Sequence, residues 1–257
     1  MGGYVILTQY IGYQNLLETG TVTVTSEATG FPKENSFDWL PWDYWNAGRA
    51  GAVYITVDMG TATTVDYWAL AFHDLSDHSG TIKPQYSSGS TSPISWSDLD
   101  TVQTPAANQM IFSPVTSVSV RYYRFEISST TLASAIGALS LGQYLTLQRG
   151  EKNFTTPYHG RNKKILNSIG ETGNPLGSTV YAQGQKFTIK QENVTPAWIA
   201  ANWEALIDHI EIKRFFFMHD YENAPTEVAF CWTDRIKYPQ YNNDNYMNFS
   251  IDCRALI

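Results

Sequence analysis

The stretch AVYITVDMGTATTVDYWALAFH, residues 52–73, decides the fold class. Val53, Ile55, Val57 and Met59 alternate with Tyr54, Thr56 and Asp58, a period of two that lays one apolar and one mixed face along an extended chain. VDYWALAFH (65–73) resumes the pattern after a turn. Working outward, TVTVTS (21–26), TIKPQYS (81–87), QMIFSPV (109–115) and VRYYRFEIS (120–128) repeat it between turn residues, and helical spacing is nearly absent. Several short strands at this spacing predict a β-sandwich or jelly roll.

The segment TTLASAIGALSLGQYLTLQRG (130–150) is rich in small residues, and the composition changes after it. A domain junction is expected here, with residues 1–140 (including an N-terminal segment) forming the first unit and 141–257 the second. Gly160, Gly170, Gly173, Gly177 and Gly184 lie among polar residues, a composition ill suited to a core of its own. We read 150–190 as an extended hairpin arm ending in QKFTIKQE (185–192). Strands of ~20 residues would reach about 60 Å. One helix is predicted over 196–209: Thr195 suits the N-cap, Pro196 the first helical position, and Ile199, Trp203, Leu206 and Ile210 fall on one face. EIKRFFFMHD (211–220), TEVAFCWTD (226–234) and NYMNFSIDCRALI (245–257) read as strands. The fold class is therefore all-β in two domains, a jelly roll followed by a β-sandwich carrying one α-helix and a long hairpin arm.

Charge and composition exclude several functions. Seventeen basic residues against 24 acidic ones give a net charge of −7, with no basic run, so a nucleic-acid partner is disfavoured. The N-terminus lacks the charged and apolar regions of a signal peptide, and no stretch reaches the ~18 apolar residues of a membrane span. Cys231 and Cys253 sit in apolar alternation and read as buried thiols from a reducing compartment. A surface rich in Ser, Thr, Asn, Gln and Gly suits a member of an assembly.

The order of features in the first unit resembles the discoidin family, the coagulation factor five/eight C-type or galactose-binding-like domain. Asp38 followed by Trp45, the strand-ending turn Val57–Gly60, the hairpin Ser87–Trp96 and the strand Arg121–Arg124 match its motifs in sequence order over about 110 residues, with Met59 in place of the usual leucine. The resemblance implies that Trp45 closes the bottom of the jelly roll. It also suggests a structural calcium site of the kind some members have, for which Asp38 and Asp43 are the candidates; otherwise no cofactor is expected. Trp96 and Trp203 join Trp45 as expected core residues.

Within SFDWLPWDYWNAG (36–48), Trp39, Trp42 and Tyr44 stand apart from Trp45. Aromatic rings can stack on the apolar face of a sugar while neighbouring acids hold its hydroxyls. The same rings can seal against a second domain or a neighbouring subunit, and both readings stay open. His73, Asp74, Asp77 and His78 (AFHDLSDHSG, 71–80) could gather a metal, but a loop leaving a strand uses Asp and Ser to hold its own turn. No nucleophile elbow, His-Glu-x-x-His, phosphate loop or Cys-x-x-Cys occurs. Asp98 with Asp100 and Asp220 with Glu222 read as local surface pairs. No enzyme is expected.

The second unit resembles, by layout more than identity, the C-terminal part of tail components of tailed bacteriophages, in which a phrase like ASAIGALSLG joins a discoidin-like module to a sandwich with one helix. The resemblance implies a distal tail or baseplate protein, assembled in the bacterial cytoplasm and carried in the virion. It would form a homo-oligomeric ring of six or three subunits, contact tail tube and tail hub proteins, and use its jelly roll for bracing or host-glycan contact. The alternative is a free carbohydrate-binding module or lectin.

Overall fold

The computed structural model describes residues 8–93, 95–149, 154–169, 171–243 and 245–257. In chain order the strands are β1 (Tyr10–Gly12), β2 (Thr21–Val24), β3 (Trp45–Asn46), β4 (Gly51–His73), β5 (Thr81–Ser87), β6 (Ser97–Asp98), β7 (Ile111–Ser129), β8 (Ala135–Gly142), β9 (Tyr144–Thr146), β10 (Arg161–Ile169), β11 (Pro175–Val194), β12 (Phe215–Met218), β13 (Val228–Asn243) and β14 (Tyr246–Leu256), with helix α1 (Pro196–Ile210) between β11 and β12. The chain is all-β with one α-helix among the described residues, a β-sandwich of jelly-roll type joined to a second sheet.

The first sheet runs β3-β8-β4-β7-β5-β6, with β2 on β4. Its two longest strands replace the shorter runs read from the sequence: β4 covers both 52–59 and 65–73, and β7 covers 111–129. They pair antiparallel twice, Gly51–Asp58 against Tyr122–Ser129 and then Thr63–Leu70 against Ile111–Val120, with register shifts between Asp58 and Thr63 and between Val65 and Tyr67. Such irregularities bend a strand and sharpen its twist. The sheet therefore curls on itself, so that Val53, Ile55 and Val57 from one end of β4 share a core with Trp68 and Leu70 from the other, alongside Tyr123, Phe125 and Trp45. Asp58 at the bend is held by Arg121 through Nε at 2.6 Å and Nη2 at 2.7 Å.

The second sheet runs β10-β11-β14-β13-β12-β1-β9. β1 lies here, Ile11 pairing with Phe217 on one side and Leu145 on the other, while Leu17 and Val22 further along join the jelly-roll core. A strand of three residues is too short for periodicity to reveal, and burial of Ile11 under the helix places it. α1 starts where its cap predicts, Thr195 Oγ accepting from Trp198 N at 3.3 Å, and packs Trp203, Leu206, Ile207 and Ile210 onto Phe249, Ile251, Phe187 and their neighbours.

β12 reads FFFM, four buried apolar residues in a row, because both of its faces are covered. Phe215 and Phe217 face the helix-side core, while Phe216 and Met218 meet Tyr67, Ala69, Ala71, Phe112 and Ala138 of the jelly roll. In β4 the partition is complementary: Trp68 and Leu70 fill the jelly-roll core, and the small Ala69 and Ala71 let the second sheet approach. A Cβ on Gly12 would lie 2.5 Å from the Tyr67 ring, and one on Gly142 would lie 2.5 Å from the Gln14 carbonyl oxygen, so both positions require glycine for close contact. Helix, second sheet and jelly roll form three layers over continuous apolar contacts.

Beyond these layers β10 pairs only with β11. The second half of β11, Gln185–Val194, belongs to the sheet through β14, and its first half with β10 makes the arm. The expected reach of about 60 Å is corrected: nine residues of β10, at the antiparallel rise of ~3.4 Å per residue, span about 30 Å.

Candidate functional site

The aromatic loop sits at the junction of the two sheets, and its rings have separate fates. Trp39, 3 % exposed, turns inward from a left-handed backbone at φ 65°. Its ring lies edge-on to His209 at 5.2 Å and stacked near Phe230 at 6.1 Å; its indole N–H donates to the Glu18 carboxylate, which also pairs with Lys213. Arg214 Nη1 donates to the Trp39 carbonyl at 2.8 Å. Trp39 is thus part of the shared core, where it contacts the second unit and no ligand can stack on it.

Trp42 remains 64 % exposed, with the Arg214 guanidinium 4.9 Å from its ring centre. Tyr44 is partly exposed and stacks on Phe31 at 4.7 Å. Trp45 is fully buried, paired with Ile136 across β3 and β8. Asp38 Oδ1 accepts from Leu40 N at 2.8 Å, a turn-holding role, and partial burial pushes its pKa up. Asp43 lies in the same loop, but among the described residues no three of His, Cys, Asp and Glu gather as cation ligands.

Trp203 is buried against Phe249 at 4.7 Å in the helix-side core. Trp96 is placed differently from the sequence expectation. It is half-buried outside every core cluster, over the guanidinium of Arg124 at 4.2 Å. Arg124 points out of the sheet between inward Tyr123 and Phe125, and it draws the ring to the outer face.

The His-Asp cluster holds its own loop: His73 Nε2 lies 2.9 Å from the Gln109 carbonyl, Asp74 Oδ1 accepts from Ala135 N at 2.7 Å, and Asp77 Oδ2 accepts from Asn108 Nδ2 at 2.8 Å. Asp100 binds Trp68 Nε1 at 2.9 Å and Ser113 Oγ at 2.6 Å, a structural anchor under the hairpin. Cys231 and Cys253 are buried free thiols whose pKa values burial pushes up, which disfavours the thiolate.

The arm presents the other candidate surface. Every residue of β10 is exposed, and Ile165, Leu166, Ile169, Leu176 and Val180 hold large apolar side chains in solvent, Leu176 being 72 % exposed. Ile165 pairs with Val180, and Asn167 with Ser178, whose hydroxyl donates at 2.6 Å. Arg161, Lys163 and Lys164 against Glu171 make this arm cationic, whereas the whole chain carries −7. The glycines drew attention to the arm in the sequence; the apolar residues between them were the signal passed over. Arg214, Glu18, Lys213 and His209 were also passed over, because they meet Trp39 only through the fold.

No known family profile matches the chain, and no curated protein does. Solved structures similar to it include the chitosan-binding module 1 of a chitosanase/glucanase from Paenibacillus sp. IK-5, at 21 % identity over 51 % of this chain and 99 % of that one, TM-score 0.43. A pectin-binding carbohydrate-binding module matches at 15 % identity over 48 % and 89 %, TM-score 0.40. The CBM32 module of AlyQ, in complex with 4,5-unsaturated mannuronic acid, matches at 23 % over 51 % and 96 %, TM-score 0.40. These are carbohydrate-binding modules, and similarity at this level assigns no ligand to this chain.

Proposed function

We propose that the chain is a structural subunit that acts by self-association and not by catalysis, in the manner of a distal tail or baseplate protein of a tailed phage. The observation that carries this reading is the arm: an isolated two-stranded ribbon is marginal in water, and this one keeps five large apolar side chains exposed, with no core beneath them among the described residues. A neighbouring copy supplies what the arm lacks. The arm is cationic on an acidic chain, so charge complementarity favours a second copy as the occupant. Arm and receiving surface are different patches, and a heterologous contact of that kind closes into a ring when the rotation allows. The phage setting rests on the resemblance in the sequence; in it the ring has six or three subunits, meets tail tube and hub proteins, and is assembled in the bacterial cytoplasm before export in the virion.

A second reading, a carbohydrate-binding module, draws on the exposure of Trp42 beside Tyr44. Rings held in solvent next to a guanidinium suit sugar stacking. Electron micrographs of the purified chain, beside a variant with Ile165, Leu166, Leu176 and Val180 changed to serine, separate the two. Rings for the parent and single particles for the variant are expected. Single particles for both, together with sugar binding lost in Trp42→Ala, would favour the module.

A further inference from the structure

The outer face of the jelly roll carries a side-chain arrangement that the assembly reading does not use. Thr56, Arg124 and Gln85 are neighbours across β4, β7 and β5, and Gln85 pairs with Asp98 of β6. The Arg124 guanidinium lies between two rings, 4.4 Å from the centre of Tyr54 and 4.2 Å from that of Trp96. Its Nε–H donates to Gln85 Oε1 at 2.7 Å, so one edge of the fork is fixed. The nearby carboxylate of Asp98 is already engaged, accepting from Gln85 Nε2 at 2.9 Å and pairing with Lys83 at 2.9 Å. Among the described residues no carboxylate lies within ion-pair distance of Arg124; Glu126, two residues along β7, acts on it from farther away, and burial, the larger effect, lowers its pKa.

A planar guanidinium clamped between rings loses little freedom on binding and presents two parallel donors that match a carboxylate. Tyr54 and Trp96 are half-buried and so leave part of each ring to solvent. Beside them Thr56 pairs with Thr23 of β2, adding hydroxyls on the same face. We propose that Tyr54, Trp96 and Arg124 form a docking site for a carboxylate-bearing sugar, a uronic acid unit of an acidic glycan. The rings and hydroxyls favour a sugar over a peptide carboxylate. The site shares no residue with the Trp42 loop or the arm, and it stands whether or not the chain forms rings.

Calorimetric titration of the full chain with trigalacturonic acid, its fully methyl-esterified form and a short poly-glutamate peptide tests the proposal. The acid trimer is expected to bind and the ester not to bind. Arg124→Lys, which keeps the charge but loses the fork, should weaken the acid trimer about tenfold or more, and added salt should weaken it further. Trp96→Ala, at an outer-face position, should weaken it with little change in melting temperature, and this variant decides the matter if Arg124→Lys fails to fold. Failure of the acid trimer to bind, equal binding of acid and ester, unchanged affinity in the folded variants, or tighter binding of the peptide than of the sugar would each overturn the proposal.

Discussion

Three tryptophans within seven positions meet three environments: Trp39 in the shared core, Trp42 in solvent and Trp45 in the jelly-roll core. Trp45→Ala should destabilise the protein by about 3–5 kcal/mol, the usual cost of emptying a buried aromatic site, whereas Trp42→Ala should cost less than about 1 kcal/mol. Urea denaturation of both measures the difference, and equal small losses would place Trp45 wrongly. Sequence motifs alone set Trp45 apart. Trp39 and Trp42 flank Leu40-Pro41 symmetrically in the sequence, and what separates them is His209 and Phe230, contacts that Trp39 makes only on folding. A second test at this scale concerns Asp58, whose pKa the Arg121 hydrogen bonds hold down from 3.8 to about 2. A depressed folded-state value stabilises the fold above the unfolded pKa, and that contribution disappears as pH falls from 3.8 through about 2. Asp58→Asn should therefore remove part of the loss of stability over that window, read from melting temperature against pH.

At the level of elements, patterns confined to one segment were legible and patterns set by distant partners were not. α1 was legible because its cap, proline and apolar stripe are local, and Thr195→Ala should cost about 1 kcal/mol by thermal melting. β8 falls within the segment read as a domain junction because its small residues, Gly137 and Ala138 among them, pack between the aromatic loop and the second sheet; Gly137 lies where a Cβ would crowd Phe72 and the Asp43 carbonyl. β12 extends over only Phe215–Met218 of the ten residues expected, since the chain leaves the sheet at either end of the doubly covered run. The arm was legible by composition but overestimated in length, because β11 continues as a sheet strand after Gly184. Replacing residues 163–182 by a short glycine-rich turn should leave the melting temperature of both sheets within a few degrees, since none of the described residues removed belongs to a core; a large drop would mean that the arm supports its own subunit.

On the scale of the whole molecule, Trp39, Phe216 and Phe230 bind jelly roll and second sheet into one apolar body. Calorimetry should show one cooperative unfolding transition, and Phe230→Ala should lower it as a unit by several kcal/mol; two separate transitions, only one moved by the substitution, would show that the layers unfold independently. The central claim is that the arm joins one copy to the next. Sedimentation velocity of the intact chain and of the chain lacking 163–182, across a hundredfold range of concentration, tests it most directly. The account predicts a closed oligomer of discrete mass for the intact chain and a monomer for the shortened one; equal sedimentation of the two at every concentration would contradict it.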